Sequence, residues 1–229
     1  MTATHRVMMT DPDTSDFYYE EAIKTIRTNI QLVGIDVKVI AFTSCYPNEG
    51  KSDIVFQLSR EIGKMGKKVL LLDADIRKSA FISRYGVKQQ IHGLSQYLGG
   101  QVGGVDIIYQ TNFENLDIIF AGPVAPNPSE LLEQDAFGIL LRTLREKYDF
   151  ILVDTPPVGS VTDAVVAAKH CDGAIMVIEH ERVSPCVAVK AKEQLAMSGC
   201  RILGAVLNKV DPRTDRYYSK YGHYSYHSQ

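Results

Sequence analysis

The chain contains an apolar run, Val37-Lys-Val-Ile-Ala-Phe42, followed at once by the polar turn Thr43-Ser-Cys-Tyr-Pro-Asn-Glu-Gly50-Lys51-Ser52. The apolar run predicts a buried strand, and the turn after it ends at a predicted helix. A strand, a Gly-Lys-Ser turn and a helix together indicate a phosphate-binding loop. Backbone N–H groups at the helix N-terminus would hold phosphate, Lys51 would reach the β/γ-phosphates, and Ser52 would ligate Mg²⁺. Cys45 replaces the first glycine of the usual motif, which we interpret as a small residue in a tight turn rather than a redox switch.

Apolar runs and helical patterns alternate along the rest of the chain. Further strands are predicted at residues 69–72, 116–120, 150–153, 174–178 and 202–207, and helices at 51–65, 129–147 and 184–198. Several of the strands are apolar on both faces, as strands between two helix layers must be. The pattern therefore predicts an α/β fold with a doubly wound, mostly parallel sheet in a single domain.

The composition excludes several classes of protein. The chain has 229 residues, of which 45% are hydrophobic, and a formal net charge of −2, so no basic field indicates nucleic-acid binding. Its four cysteines lack the spacing of a zinc ribbon or a disulfide framework, which favours a reduced, cytoplasmic setting. We expect no membrane span, because no apolar run approaches the roughly 18 residues required.

Acidic residues follow two of the predicted strands. Asp73, Asp75 and Arg77 come after the strand at 69–72, and Asp154 comes after the strand at 150–153. Ligands of open α/β sheets bind at the carboxyl ends of the strands, where these side chains would meet the phosphate loop. For a single aspartate, capping of the following turn is an equally good explanation, but the set of three favours a nucleotide site with Mg²⁺.

The two ends of the chain depart from this pattern. Residues 1–15 are expected to be a flexible N-terminus, and residues 16–33 an amphipathic helix that begins a domain reaching residue 210. Residues 211–229 contain no Val, Ile or Leu, which predicts a mobile tail. Five tyrosines fall in the last 13 residues: Tyr217, Tyr218, Tyr221, Tyr224 and Tyr226. A sticky end without a role is the alternative explanation for them.

These motifs resemble those of the bacterial tyrosine kinases of capsule and exopolysaccharide synthesis, in particular the cytoplasmic kinases of the CpsD/CapB type. The resemblance implies ATP- and Mg²⁺-dependent autophosphorylation, in trans, of the five tail tyrosines. It assigns phosphate binding to Lys51, Mg²⁺ to Ser52, Asp75 and Asp154, and the role of proton acceptor to Asp73. The residues implied in ATP binding are Pro47, Asn48, Glu49, Gly50, Lys51, Ser52, Asp53, Arg77 and Asn208.

The same resemblance implies partners. The helix at 16–33 carries Glu21, Lys24 and Arg27 at a spacing of three, similar to a family element used for contacts in a ring-shaped homo-oligomer. Lys24 replaces an arginine of that element, and a solvated charged face is the alternative. The resemblance also implies an activating cytoplasmic tail from a membrane chain-length regulator (a polysaccharide co-polymerase), recruitment to the inner face of the plasma membrane, and a cognate tyrosine phosphatase.

Two local features allow other interpretations of the nucleotide. Asp53 follows Ser52, where its charge could oppose a phosphate, so we expect Asp53→Thr to tighten ATP binding. Asn208-Lys209-Val210-Asp211 has the form of a guanine-reading element, but we interpret Asn208 as a contact to adenine. Competition between GTP and ATP would decide between them.

Two other functions compete with a kinase. One is a positioning ATPase of the MinD/ParA type, although Tyr46 stands where such proteins have a signature lysine. The other is a weakly catalytic regulatory subunit switched by nucleotide.

Overall fold

A single sheet of eight strands forms the centre of the computed structural model, which describes residues 5–10 and 17–210. The strand order is β1-β4-β5-β3-β6-β2-β7-β8, and among these described strands only the β4–β5 pair is antiparallel. The strands are β1 (His5–Arg6), β2 (Val39–Ser44), β3 (Val69–Asp73), β4 (Tyr109–Gln110), β5 (Leu116–Ile119), β6 (Phe150–Asp154), β7 (Gly173–Glu179) and β8 (Ile202–Asn208). The six predicted strands are confirmed, and so is the mostly parallel sheet.

The helices lie on both faces of this sheet. They are α1 (Phe17–Val33), α2 (Lys51–Gly63), α3 (Phe81–Arg84), α4 (Leu94–Leu98), α5 (Pro128–Glu133), α6 (Asp135–Arg145), α7 (Asp163–Ala168) and α8 (Pro185–Ala196). The helix predicted at 129–147 is in fact two helices, α5 and α6, because Gln134 adopts an extended backbone conformation between them (φ −65°, ψ 146°). Pro128 occupies the first turn of α5, and the Asn127 side-chain amide donates to Glu130 at 2.7 Å and makes no capping hydrogen bond to the helix backbone.

Alternate residues of the central strands pack into different parts of the core. On β3, Leu71 faces a cluster that contains Phe56 of α2, whereas Leu70 and Leu72 face a cluster that contains Phe137 of α6. All five residues are fully buried. Both faces of the sheet are therefore covered, which explains the continuous apolar runs.

Residues 5–10, which lie within the segment expected to be flexible, are ordered against the sheet. Residues 5–10 include β1, which pairs with β4, and they place Val7 and Met9 in the core at 1% and 4% exposure. Sequence analysis missed β1 and β4 because each is two residues long and shows no periodicity. Helices α3, α4 and α7 have only four to six residues, which is too short for a helical periodicity to show in the sequence.

Helix α1 packs against α2, with Ile23 and Ile30 buried. The amphipathic pattern predicted for this segment is thus confirmed. Within the described residues, no helix combines the length and the apolar character needed to cross a membrane.

Candidate nucleotide-binding and phosphoryl-transfer site

The predicted phosphate loop connects β2 to α2 and has a strained backbone. Asn48 and Gly50 adopt positive φ values of 67° and 84°. A Cβ atom at Gly50 would lie 2.2 Å from the side-chain nitrogen of Asn208 and would displace that side chain, so glycine suits both the conformation and the space. Gly50 caps α2 without a side-chain hydrogen bond, and the first backbone N–H groups of the helix have no acceptor within it.

The buried side chain of Glu49 accepts hydrogen bonds from the backbone of this loop and of β7. It is 1% exposed, its Oε2 accepts from the Tyr46 N–H at 2.9 Å, and its Oε1 accepts from the Glu179 N–H at 3.3 Å. Although Glu49 lines the cleft, its carboxylate supports the loop backbone. The sequence offered no signal for this role.

Asn208 and Lys209 hold the loop from the end of β8. The Asn208 Nδ2 donates to the Glu49 carbonyl at 2.8 Å, and the Lys209 Nζ donates to the Asn48 carbonyl at 2.9 Å. Asn208 is not among the described residues that line the cleft. The structure therefore places Asn208 against the loop, and its contact with a base stays a prediction.

Lys51, Ser52 and Asp154 form a hydrogen-bonded cluster. The Lys51 ammonium contacts one carboxylate oxygen of Asp154, and the Ser52 hydroxyl donates to the other at 2.7 Å. Lys51 is 7% exposed and Asp154 is 1% exposed. Burial raises the pKa of the Asp154 carboxyl, and the adjacent Lys51 opposes that rise.

Asp73 lies beside this cluster. The β3–β6 register pairs Asp73 with Asp154, which puts two carboxyl groups next to each other at the carboxyl edge of the sheet. Complete burial, followed by the charge of Asp154, raises the pKa of Asp73 to about 8. The Ser79 hydroxyl donates to Asp73 and opposes that rise. Asp73 is thus protonated more readily than an ordinary carboxyl group.

Asp75 and Arg77 follow Asp73 in the same loop. The Asp75 carboxylate accepts from the Lys78 N–H at 3.0 Å. The Arg77 guanidinium makes a bidentate pair with buried Asp163 of α7, at 2.6 and 2.9 Å, and donates to the Ser129 hydroxyl at 3.1 Å. Arg77 lines the cleft but is anchored by Asp163, a residue that sequence analysis missed because a single acidic residue in a short helix gives no recognisable pattern.

Asp53 does not point an unpaired charge at the phosphate site. Its Oδ1 accepts from Arg84 Nη1 at 2.7 Å and from the Tyr85 hydroxyl at 3.2 Å. Arg84 therefore offsets the charge that could oppose a phosphate, and the tighter ATP binding expected of Asp53→Thr stays a prediction. No local pattern points to Arg84, because it lies 31 residues further along the chain than Asp53.

These side chains surround a cleft of about 650 Å³. Its walls are the phosphate loop, residues 73–84 and residues 154–161, with Lys209 at the rim. The N-terminus of α2, where no side chain makes a capping hydrogen bond, and the Lys51 ammonium are suited to nucleotide phosphates.

The donor set also fits Mg²⁺ that is shared with a nucleotide. In residues 5–10 and 17–210, no three His, Cys, Asp or Glu side chains form a group able to hold a metal by themselves. The Ser52 hydroxyl and the Asp154 carboxylate are hard oxygen donors 2.7 Å apart, and Asp75 lies close enough to influence the pKa of Asp154. Mg²⁺ commonly takes one or two carboxylates and completes its coordination with water and phosphate oxygens.

The remaining predicted residues lie elsewhere. Lys24 and Glu21 form an exposed ion pair at 2.7 Å on α1, whereas Arg27 turns towards Glu61 of α2 at 3.6 Å. Both contacts lie within one chain, so the proposed role of these residues in an oligomer stays a prediction. The five tail tyrosines lie outside the described residues.

A parallel sheet, a Gly-Lys-Ser loop and strand-end carboxylates around one cleft define a P-loop nucleotide-binding domain. A family model described as an AAA domain matches residues 37–211. The tyrosine-protein kinase CpsD of Streptococcus agalactiae is 39% identical over 205 residues, which cover 90% of this chain and 89% of the relative. The chain therefore belongs to the AAA domain family and, within it, to the bacterial tyrosine-protein kinases.

Two solved structures agree with this assignment of the fold. The kinase domain of the Escherichia coli tyrosine kinase ETK superposes with a TM-score of 0.83 at 26% identity, over 93% of this chain and 92% of that one. The septum site-determining protein MinD of Pyrococcus horikoshii, complexed with Mg-ADP, has a TM-score of 0.67 at 31% identity, over 78% and 72% of the two chains. The same fold thus occurs in a protein with a different name and role.

Proposed function

We propose that the chain transfers the γ-phosphoryl group of ATP to its own C-terminal tyrosines, between subunits, and thereby regulates capsular or extracellular polysaccharide synthesis and export. The observation that carries the proposal is the cluster of Lys51, Ser52 and Asp154 beside buried Asp73 at one edge of the sheet. The name of the Streptococcus agalactiae relative supports tyrosine as the acceptor.

The proposed reaction forms a bond between the γ-phosphorus and a tyrosine oxygen and breaks the bond from the γ-phosphorus to ADP. Lys51 and the N-terminus of α2 bind the phosphates and stabilise their charge. Ser52, Asp75 and Asp154 would hold Mg²⁺, which supplies positive charge to the transferring group and lowers the pKa of carboxyls beside it. The phenolic proton passes to Asp73.

Asp73 suits the role of proton acceptor because of its surroundings. A base works best when its pKa lies near the operating pH, and burial moves the pKa of Asp73 to about 8. Asp73 must be ionised before it can accept the proton of tyrosine, and Lys51 favours that ionised form. We therefore expect the rate to rise with pH on the acidic side of its optimum.

The acceptors and partners belong to the same proposal. The acceptors are Tyr217, Tyr218, Tyr221, Tyr224 and Tyr226. We propose that the chain forms a ring-shaped homo-oligomer through Glu21, Lys24 and Arg27 and that a cognate phosphatase reverses the modification. The cytoplasmic tail of a membrane chain-length regulator would activate the chain and recruit it to the inner face of the plasma membrane.

A mixing experiment tests transfer between subunits. One variant, Lys51→Met, keeps all five tail tyrosines, and the other has these five tyrosines changed to Phe but keeps the site. Each is incubated with Mg-ATP alone and in mixture, with and without the regulator's tail, and a size tag separates the chains. We expect phosphotyrosine on the Lys51→Met chain in the mixture and on neither variant alone.

The controls separate the possible failures. Phosphotyrosine on Lys51→Met incubated alone would refute the assigned site, and phosphotyrosine on the Phe variant would refute the assigned acceptors. A wild-type chain that labels itself while the mixture does not would show transfer within one subunit.

A positioning ATPase remains the second candidate because MinD shares the fold at 31% identity. Tyr46, which stands at the signature-lysine position, donates its backbone N–H to Glu49 and so forms part of the loop itself. ATP hydrolysis without phosphotyrosine, with and without the regulator's tail, would favour this candidate.

A further inference from the structure

Asp53 and Arg84 form an ion pair on the wall of the nucleotide cleft that the proposed reaction does not use. The Arg84 Nη1 donates to Asp53 Oδ1 at 2.7 Å, with the two side chains 39% and 43% exposed. Both residues line the cleft. The pair connects the first turn of α2 to the end of α3.

Tyr85 holds the acidic partner in place. Its hydroxyl donates to the same Asp53 oxygen at 3.2 Å. Its ring is fully buried between the rings of Phe56 and Phe81, with centroid distances of 4.1 and 5.4 Å. Since Tyr85 is fixed by packing, Asp53 is directed towards α3 and Arg84.

The charge of Asp53 matters because of its position. It is the third residue of α2, the helix whose N-terminus carries the partial positive charge that binds phosphate. An unpaired carboxylate there would repel a nucleotide with several negative charges, and a paired one contributes little net charge.

We propose that Arg84 is a positioning residue for the nucleotide, which acts by neutralising Asp53 at the phosphate-binding end of α2. This inference rests on the proposed nucleotide site and adds a residue to it. Arg84 removes a repulsion, and Tyr85 keeps the two charges together.

The inference predicts opposite signs for the two single substitutions. Arg84→Gln leaves the Asp53 charge unpaired and should weaken ADP binding about 5-fold at low salt. Asp53→Asn leaves the Arg84 charge unpaired and should tighten ADP binding by a similar factor. The double variant should bind ADP like the wild type, and Arg84→Lys, which retains the charge, should stay within about 2-fold of it.

The experiment is calorimetric titration of the purified full-length chain with Mg-ADP at 50 and 300 mM NaCl. We expect both single effects to shrink at the higher salt, since partly exposed charges are screened. A merely structural contact would not give opposite signs, salt dependence or rescue by the second substitution. Thermal unfolding without nucleotide checks that each variant is folded.

Lys51→Ala distinguishes failure of this inference from failure of the site. If Lys51→Ala does not weaken ADP binding, the nucleotide site itself is wrong and the inference fails with it. In the other outcome, Lys51→Ala weakens ADP binding while Arg84→Gln changes it by the same factor in the wild type and in the Asp53→Asn variant. That result would overturn only the role of Arg84.

Discussion

The nucleotide cleft contains two ion pairs made by neighbouring parts of one helix, and they differ in burial. The side chains of Lys51 and Asp154 are 7% and 2% exposed at the carboxyl edge of the sheet, whereas those of Asp53 and Arg84 are 43% and 39% exposed on the cleft wall. Removing one partner of a buried pair leaves an uncompensated charge, whereas an exposed pair contributes at most about 1 kcal/mol to stability. We therefore propose that the buried pair takes part in the chemistry and that the exposed pair adjusts the charge around it.

The largest effect is expected when the buried pair is broken. Lys51→Met removes the ammonium that neutralises both the phosphates and Asp154, so we expect the rate of phosphotyrosine formation to fall about 1000-fold. The initial rate with Mg-ATP measures this. Lys51→Arg is the matched control for charge, and a rate above one tenth of wild type for Lys51→Met would contradict the assigned role.

Asp73→Asn separates activity from stability. We expect the rate to fall about 100-fold, because the variant lacks the proton acceptor. Thermal stability should rise, because the folded wild type must bury a carboxyl group and the variant keeps the hydrogen-bond acceptor for Ser79.

The stability gain should depend on pH. With a folded-state pKa of about 8, well above that of an ordinary carboxyl group, Asp73 keeps a proton that the unfolded chain loses from about pH 4 upwards. The free energy of unfolding of the wild type therefore falls between these pH values, and Asp73→Asn removes that fall. Calorimetry at pH 5, 6.5 and 8 should show a growing difference in Tm; a constant difference would contradict the raised pKa.

Asn208→Ala tests the bracing of the loop from β8. Loss of the hydrogen bond to the Glu49 carbonyl should weaken Mg-ADP binding about 5-fold, which is the effect of one ordinary hydrogen bond. Titration of the variant measures this. Equal loss for ATP and GTP would indicate loop bracing, whereas a loss confined to one nucleotide would indicate contact with the base.

The smallest effect is expected for the stability contributed by the exposed pair. Asp53→Asn and Arg84→Gln should each change Tm by less than about 4 °C, because their charges remain hydrated in the folded state. Thermal unfolding measures this beside Lys51→Met. A larger change in Tm for either variant would show that the pair stabilises the packing of α2 against α3.

The strands and the phosphate loop were predictable because their signals are local. The apolar runs that became β2, β3 and β6 are continuous, and Gly50-Lys51-Ser52 lies directly after one of them. The break at Gln134 and the two-residue strands β1 and β4 were not predictable, since neighbouring elements decide them. Residues that act through distant partners, such as Asp163 on Arg77 and Arg84 on Asp53, likewise give no local pattern.

The groups that reach the carboxyl edge of the sheet can be identified from the amino-acid sequence, because the alternation of strands and helices sets where each strand ends. How those groups behave depends instead on their surroundings in the folded protein. The β3–β6 register brings Asp73 beside Asp154, and burial there raises its pKa. Packing fixes Tyr85, whose hydroxyl holds the Asp53 carboxylate where it pairs with Arg84. Both outcomes depend on desolvation and on neighbours far along the chain, which no local pattern of residues records.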